Sequence, residues 1–364
     1  MKTARNILIC PLEWGLGHAA RMIPLAVRLR DKNYNVIIGA GKEHQALFQN
    51  EIPGIMCIDF PGFKPEYSKY LPQYLSLLFK IPLLIYHIIS EHKRLKTIIR
   101  DHKIDIVLSD NRFGLWNRSI KTVYFTHQLR IPFPTAFRIF EFIGIGIHKS
   151  IIKKYSYCFI PDLPGEMNLS GRLSHGVKLP ANALFIGILS RFTGVVSLPS
   201  DSPVSSPHNT IILSGPEPQR SLLRNKLTMI FKSRYPKTII LEGRPDKSPG
   251  GSESDNVVFY NHLSAAAMKE LITSSETIIS RSGYTTIMEL ISLNCSALLI
   301  PAPGQTEQEY LARYLYEKGW FSKVSQKDLK EKIPDEINHK VPGDEIISKS
   351  RLLLEGALTR LSED

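Results

Sequence analysis

The chain has few of the features that mark secreted, metal-binding or membrane-spanning proteins. Its 364 residues include only four cysteines, Cys10, Cys57, Cys158 and Cys295. They lie far apart, none forms a C-x-x-C pair, and each sits in an apolar run. A disulfide framework and a zinc ribbon are thereby excluded, and buried reduced thiols in a cytoplasmic protein are expected. Met1 to Asn6 places two charges before a strand and reads as no signal peptide. A membrane-spanning helix needs about 20 mainly apolar residues. The apolar stretch Leu71 to Ser90 is broken by Gln73, Lys80, Pro82 and His87, so it does not read as one. No low-complexity block occurs, and no aspartate pair is spaced to hold Mg²⁺. No metal or cofactor is expected.

What is present is ordinary globular composition, 43% apolar and 22% charged, in a chain long enough for two domains with full cores. The net charge is +12 and is unevenly placed. Residues 1–190 carry 25 Lys and Arg against 13 Asp and Glu, whereas residues 191–364 carry 21 of each. The entire excess lies in the N-terminal half. A one-sided basic domain points to an anionic partner: an acidic acceptor, an anionic membrane surface or nucleic acid. A solvated basic surface that only aids solubility is the plainer alternative.

Residues 6–12 read as a buried strand, about Ala19 to Asp31 as a helix, and Asn35 to Ala40 as a second strand. This is a βαβ unit that begins a doubly wound domain. Further strands are expected at Met56 to Asp59, Ile104 to Ser109, Thr122 to Thr126, Tyr157 to Ile160 and Leu184 to Ile186, with a helix over Tyr74 to Arg100. Residues 195–209 are rich in Ser and Pro and read as a linker. A second α/β pattern follows, with strands at Thr210 to Leu213, Thr238 to Leu241, Val257 to Phe259, Thr277 to Ile279 and Ala297 to Ile300. A helix is expected near Leu222 to Phe231, another over Ile287 to Leu293, and an amphipathic one over Ile346 to Leu361. The fold class is α/β, two Rossmann-like doubly wound domains at 1–194 and 210–340, with a C-terminal segment at 341–364.

Two turns in the second half carry the most chemistry. After the strand Thr277 to Ile279, Arg281-Ser282-Gly283-Tyr284-Thr285 opens a helix. Small and hydroxyl residues there leave backbone N–H groups free to meet an anion, and the helix dipole favours negative charge. After Ala297 to Ile300, a Pro- and Gly-rich loop carries Gln305, Glu307 and Gln308. Open α/β sheets bind ligands at the carboxyl ends of their strands. A phosphate beside amide and carboxylate side chains suggests a nucleotide-sugar. The loop Ser214 to Arg220 adds Gly215, Gln219 and Arg220 to this donor side.

In the first half, Gly15-Leu16-Gly17-His18 follows a strand and opens a helix. A dinucleotide fingerprint is not met: Ala20 stands where the third glycine belongs, and Gly39-Ala40-Gly41 rather than an acid ends the second strand. His18 can take a proton from a hydroxyl if its pKa suits. Asp110, at the end of its strand, can orient His18 and stabilise its imidazolium, or simply cap a helix. Gly15, Gly17, Thr126, His127 and Gln128 read as contacts for an acceptor. Trp116 fits core packing or a sugar platform equally. Residues 131–154 combine aromatic and aliphatic side chains with Arg130, Arg138, Lys149, Lys153 and Lys154. They fit buried helices of the first domain or a monotopic contact with anionic lipid.

The segments Arg281 to Glu289 and Pro301 to Ala312, within residues 210–325, resemble the C-terminal domain of the family 28 glycosyltransferases. The best-known member makes the second lipid-linked intermediate of peptidoglycan from a UDP-N-acetylhexosamine. The resemblance implies the two-domain B-type glycosyltransferase fold, with the site in the cleft and the C-terminal helix crossing back onto the first domain. It places Ser282, Gly283 and Thr285 at the donor diphosphate and Glu289 at the ribose. Glu307 and Gln308 fall at the donor sugar, where the family commonly has paired glutamines; Glu307 departs from that pattern. It also likens the Gly15 to His18 loop to the family's Gly-rich first-domain loop.

The implied activity is metal-independent hexosyl or N-acetylhexosaminyl transfer from a nucleotide-sugar, UDP-linked by resemblance, with inversion. The acceptor is expected to be anionic or lipid-linked, the location cytoplasmic or peripheral on the inner membrane face, and nucleic acid is not expected as a partner. A nucleotide-sugar 2-epimerase of the same architecture, or a non-catalytic nucleotide-sugar-binding subunit, are the alternatives.

Overall fold

A computed structural model describes residues 4–64, 80–132, 141–195, 207–215, 217–245, 251–329, 337 and 339–363. The first half runs β1 (Asn6–Cys10), α1 (Leu16–Asp31), β2 (Asn35–Ala40), α2 (Lys42–Glu51), β3 (Met56–Asp59), α3 (Ile81–Asp101), β4 (Ile106–Asp110), β5 (Lys121–Phe125), α4 (Glu141–Ile152), β6 (Tyr157–Ile160) and β7 (Ala183–Phe185). The second runs β8 (His208–Ile212), α5 (Gln219–Phe231), β9 (Lys237–Leu241), β10 (Gly251–Ser254), β11 (Val257–Tyr260), α6 (Ala265–Thr273), β12 (Thr277–Ser280), α7 (Tyr284–Ser292), β13 (Leu298–Leu299), α8 (Thr306–Glu317), β14 (Ser322–Lys323) and α9 (Gly343–Ser362).

Each half builds one seven-stranded sheet. The first has the order β3-β2-β1-β4-β5-β6-β7 and is parallel throughout. The second has the order β10-β11-β9-β8-β12-β13-β14, parallel except for the antiparallel β10 edge. Helices cover both faces of such sheets, so the central strands are apolar runs without alternation. Ile7, Leu8, Ile9 and Cys10 of β1 are all fully buried. In both halves the order reverses beside the first strand, between β1 and β4 and between β8 and β12. That switch point opens a crevice at the strands' carboxyl ends.

Several boundaries differ from the sequence expectations. Glu307 and Gln308 lie in the first turn of α8 rather than in a loop. Acidic Glu307 and Glu309 suit that positive end. The Gln308 and Glu309 side chains reach back to accept from the Ala302 and Gly304 N–H groups at 2.9 and 3.0 Å. The linker expected at 195–209 lies outside the described residues over 196–206, and its last two residues belong to β8. The helix expected from Tyr74 is described only from Ile81. Among the described residues, no helix is long and apolar enough to cross a membrane, and no group of three or more His, Cys, Asp or Glu side chains is placed to hold a metal ion. The four cysteines are unpaired, Cys10 and Cys158 fully buried.

The halves are tied at the back of the cleft. Helix α9 gives Ile346 to the core of the second half and Leu354, Ala357, Leu358 and Leu361 to that of the first. Arg28 of α1 and Lys32 just after it pair with Glu355. Under α9 the chain passes at Gly187, where φ is +74° and a Cβ would lie 2.3 Å from Ser350 Cα. Only glycine fits there. The Ile188 N–H then donates to Ser350 Oγ at 2.9 Å. A second tie joins residues 168–172 to α8. Tyr310 accepts from the Arg172 N–H at 2.7 Å, and Tyr314 donates to Asn168 at 2.8 Å.

Candidate active site in the cleft

The carboxyl ends of the two sheets face each other, and the candidate catalytic, donor and acceptor residues come from elements at these two rims. From the first half come Gly15 and Gly17 at the start of α1, His18, Asp110 at the end of β4, and Thr126, His127 and Gln128 after β5. From the second come Gly215 after β8, Gln219 and Arg220 in the first turn of α5, Arg281, Ser282 and Gly283 after β12, Tyr284, Thr285 and Glu289 on α7, and Gln305, Glu307 and Gln308 at the start of α8.

The two helix starts touch. Thr285 Oγ1 donates to the Gly17 carbonyl at 2.9 Å. A Cβ at Gly17 would lie 3.1 Å from that hydroxyl, so the glycine is what lets α1 and α7 approach. Tyr284 stacks on His127 with ring centroids 4.2 Å apart and donates its hydroxyl to the Pro161 carbonyl at 2.8 Å. Thr306 Oγ1 donates to the Pro132 carbonyl at 2.8 Å.

His18 and Asp110 meet. His18 Nδ1 lies 2.9 Å from Asp110 Oδ2, and the carboxylate is completely buried. A buried carboxylate is costly unless paired. Arg21, one turn after His18, supplies the pair: its Nε donates to Asp110 Oδ2 at 2.9 Å, and a terminal nitrogen donates to Oδ1. Burial would raise the Asp110 pKa, but Arg21 and His18 outweigh it and hold the carboxyl at about 2. Burial pushes the His18 pKa below its ordinary value; Asp110 opposes this, while Arg21 and His127 add to it. His18 is therefore neutral near pH 7, as a general base must be.

His127 bridges the rims. Its Nε2 lies 2.8 Å from Glu307 Oε1, and its Nδ1 lies 3.0 Å from Arg21 Nη1. Burial would raise the Glu307 pKa, but the adjacent His127 holds the carboxyl below its usual range. Thr126 and Gln128 form a local turn, with the Gln128 N–H donating to Thr126 Oγ1 at 3.1 Å.

On the donor rim the arginines already have partners. Arg281 is 1% exposed and donates to the carbonyls of Ile300, Pro301 and Gln219 at 3.2, 3.1 and 2.9 Å, which ties β12, β13 and α5 together. Burial lowers its pKa to about 10, so it stays charged. Arg220 pairs with Glu217 at 3.0 Å. Ser282 Oγ donates to the Gln308 carbonyl at 2.8 Å. Gly283 caps α7 with an ordinary φ of −72°. Glu289 is buried on α7, 2.8 Å from Arg191, which also lies 3.8 Å from Glu51 of α2. His262 stands 3.7 Å from the same Glu51 oxygen. Burial raises both carboxyls against the pull of Arg191. No well-angled hydrogen bond reaches the facing oxygens Glu289 Oε1 and Glu51 Oε1.

Sequence reasoning missed Arg21, Glu51, Arg191 and His262. Arg21 had a signal: an arginine inside the apolar run Ala19-Ala20-Arg21-Met22-Ile23 has to be paired when buried. Trp116 lies between His92, stacked at 4.2 Å, and Lys154, whose Nζ is 5.2 Å from the ring.

Residues 245–350 match the glycosyltransferase family 28 C-terminal domain. The chain is a glycosyltransferase with the B-type fold. It is 23% identical over 329 residues to an uncharacterized glycosyltransferase of Methanosarcina acetivorans, covering 86% of this chain and 84% of that protein. Over 125 residues it is 22% identical to the UDP-N-acetylglucosamine--N-acetylmuramyl-(pentapeptide) pyrophosphoryl-undecaprenol N-acetylglucosamine transferase of a Sulfurihydrogenibium species, a match confined to 34% of this chain and 35% of that one. Among solved structures, the glycotransferase of kitacinnamycin superposes with a TM-score of 0.62 at 12% identity, covering 97% of this chain and 95% of that one. That likeness is one of fold.

Proposed function

We propose that this glycosyltransferase moves a hexosyl or N-acetylhexosaminyl group from a UDP-linked sugar to an anionic or lipid-linked acceptor, with inversion and without a metal ion. The observation that carries the reading is the His18–Asp110 pair on one rim facing the Ser282 to Thr285 helix start on the other.

The donor diphosphate sits at the start of α7, where the free N–H groups and the helix dipole balance the charge that develops on the leaving group. The family resemblance assigns Glu289 to the ribose hydroxyls; in the structure it is buried on α7 with Arg191 2.8 Å from its Oε1. Glu307 and Gln308 meet the sugar. His18 Nε2 removes the proton of the acceptor hydroxyl as that oxygen bonds to the anomeric carbon. The bond from that carbon to the diphosphate oxygen breaks, and its electron pair leaves with UDP. The proton stays on His18, whose imidazolium Asp110 stabilises. Attack opposite the leaving group inverts the anomeric centre, and the closed cleft excludes water.

A peripheral site at the cytoplasmic membrane face is part of this reading. It is supported by exposed Ile85, Tyr86 and Ile89 on α3 and Phe142 and Ile147 on α4, with Lys93, Arg94, Lys153 and Lys154 exposed on or beside the same helices. Of the apolar residues in 141–154, Phe142, Ile143 and Ile147 are thus exposed while Ile152 is fully buried, and residues 133–140 lie outside the described ones.

The test is turnover. The protein is incubated with UDP-hexoses and UDP-N-acetylhexosamines plus anionic and lipid-linked acceptors, and released UDP and the product anomer are read by NMR. Acceptor-dependent UDP release with an inverted product is expected. An epimerised sugar without acceptor, or binding without turnover, would overturn the reading.

A further inference from the structure

We propose that Arg21 is a positioning residue that gives the two cleft histidines opposite tautomers, making His18 the base and His127 a fixed hydrogen-bond donor. The part concerning His18 rests on the reading of that residue as the base; the part concerning His127 does not.

Arg21 is 1% exposed, and its guanidinium touches three side chains. Nε and Nη2 grip the two oxygens of Asp110. Nη1 lies 3.0 Å from His127 Nδ1, and Nη2 lies 3.0 Å from His18 Nδ1. A guanidinium only donates and does not lose its proton in proteins. His127 Nδ1 must therefore accept, and the ring proton must sit on Nε2. That nitrogen is 2.8 Å from Glu307 Oε1, so His127 donates across the cleft to a carboxylate. A ring held this way has no free lone pair with which to take a substrate proton. Tyr284, stacked on its face, fixes the plane.

His18 Nδ1 lies between Asp110 Oδ2 at 2.9 Å and Arg21 Nη2 at 3.0 Å. It can donate to the first or accept from the second. Nη2 already has an acceptor in Asp110 Oδ1, so it does not need His18. Donation to Asp110 satisfies all three groups and leaves the lone pair on His18 Nε2. The charged or titratable groups facing His18 are Asp110, Arg21, His127 and Glu307. Arg21 is the only permanent cation among them. It opposes protonation of His18 in the resting enzyme, and it keeps Asp110 ionised for the moment when the imidazolium forms.

The charge and the fork of Arg21 can be separated. Arg21→Lys keeps the cation but cannot hold Asp110 at two points and His127 at a third. Arg21→Met removes both. Histidine side-chain 15N NMR of the full-length protein at pH 7 reads the tautomers directly. In the wild type, His127 is expected as Nε2–H and His18 as Nδ1–H. In Arg21→Lys, His127 is expected to lose its single tautomer and kcat to fall by about 10²-fold, the scale of losing a positioned base, with the acid limb of kcat/KM unmoved. In Arg21→Met the limb is expected to move to higher pH, because the cation that lowers the His18 pKa is gone. A role confined to packing would lower kcat without moving the limb or changing the tautomers.

Wild-type His127 in the Nδ1–H form overturns the proposal, whatever the variants do. So does Arg21→Lys with both wild-type tautomers intact. If Arg21→Met does not fold, the wild-type and Arg21→Lys spectra decide. Failure of the base reading looks different: His18→Ala would keep near-normal turnover while the wild-type His127 tautomer stays Nε2–H.

Discussion

The two halves share a strand order but equip their rims differently. The first half meets the cleft with charged and imidazole side chains held in a buried network: His18, Arg21, Asp110 and His127. The second meets it with helix starts, hydroxyls and backbone N–H groups, and its arginines, Arg281 and Arg220, are already partnered by protein groups. On the proposed reading, one topology thus serves two tasks. A switch-point crevice offers positions at strand ends, and the residues placed there decide whether the rim handles protons or an anion. The charge excess of the first half has no counterpart in the second.

The largest expected effect tests the proton-handling rim. His18→Ala should lower kcat by about 10²–10⁴-fold and leave UDP affinity unchanged. The pH profile adds a sign. Burial lowers the His18 pKa, so the base is neutral at pH 7 and the rate should fall only as pH drops through a value below 6.5. Asp110→Asn removes the group that opposes this lowering. Its acid limb should move to still lower pH while kcat falls. Stopped-assay rates from pH 4.5 to 8 check both, and near-normal transfer by His18→Ala would erase the contrast between the rims.

The next effect tests the anion rim. A Cβ at Gly283 meets Ser214 Oγ and Thr286 Oγ1 no closer than 4.0 Å, and the backbone there is unstrained. Gly283→Val should therefore fold, with a small loss of stability because valine is a poorer N-cap than glycine. Side-chain bulk against a ligand typically costs about 1–3 kcal/mol, so UDP binding by calorimetry should weaken by that amount. Unchanged affinity would move the diphosphate elsewhere.

A smaller effect separates sugar contact from loop support. Gln308 Oε1 already accepts from the Ala302 N–H. Losing such a bond costs about 0.5–1.5 kcal/mol. Gln308→Ala should weaken binding of the nucleotide-sugar more than of free UDP. Equal losses would assign Gln308 to the loop alone.

How much of this was legible in sequence follows from the distance over which each interaction acts. The central strands announced themselves because both faces are buried, as in Asn6 to Cys10 and Asn35 to Ala40; the edge strand Met56 to Asp59, half-exposed, also falls where it was expected. The edge strands β10 and β14 are too polar or too short to show a run, whereas two-residue β13 lies inside the apolar run Ala297 to Ile300 that marked it. The start of α8 hid behind Pro301, Pro303 and Gly304. The site was legible as individual strand-end residues but not as a network. Arg21 lies 89 positions from Asp110, and His127 lies 180 from Glu307. No local pattern records such pairs; the sheet order and the closure of two domains create them.

The last prediction asks whether the charge asymmetry is functional. Helices α3 and α4 leave Ile85, Tyr86, Ile89, Phe142 and Ile147 about half to two-thirds exposed, with lysines and Arg94 nearby. Apolar side chains beside cations suit the interface of an anionic bilayer. Each cation near such a surface contributes about 1 kcal/mol, and salt screens it over about 8–10 Å at physiological ionic strength. The protein should therefore sediment with anionic vesicles at low salt, less at high salt, and poorly with neutral vesicles. Lys153→Glu with Lys154→Glu should reduce the anionic binding while leaving transfer to a soluble acceptor unchanged, because both side chains are exposed just past the end of α4 and neither contacts a cleft residue named above. Equal sedimentation with anionic and neutral vesicles would leave the apolar face without an electrostatic role. No sedimentation with either would reduce the basic excess to solubility, and the two halves would then differ only at their rims.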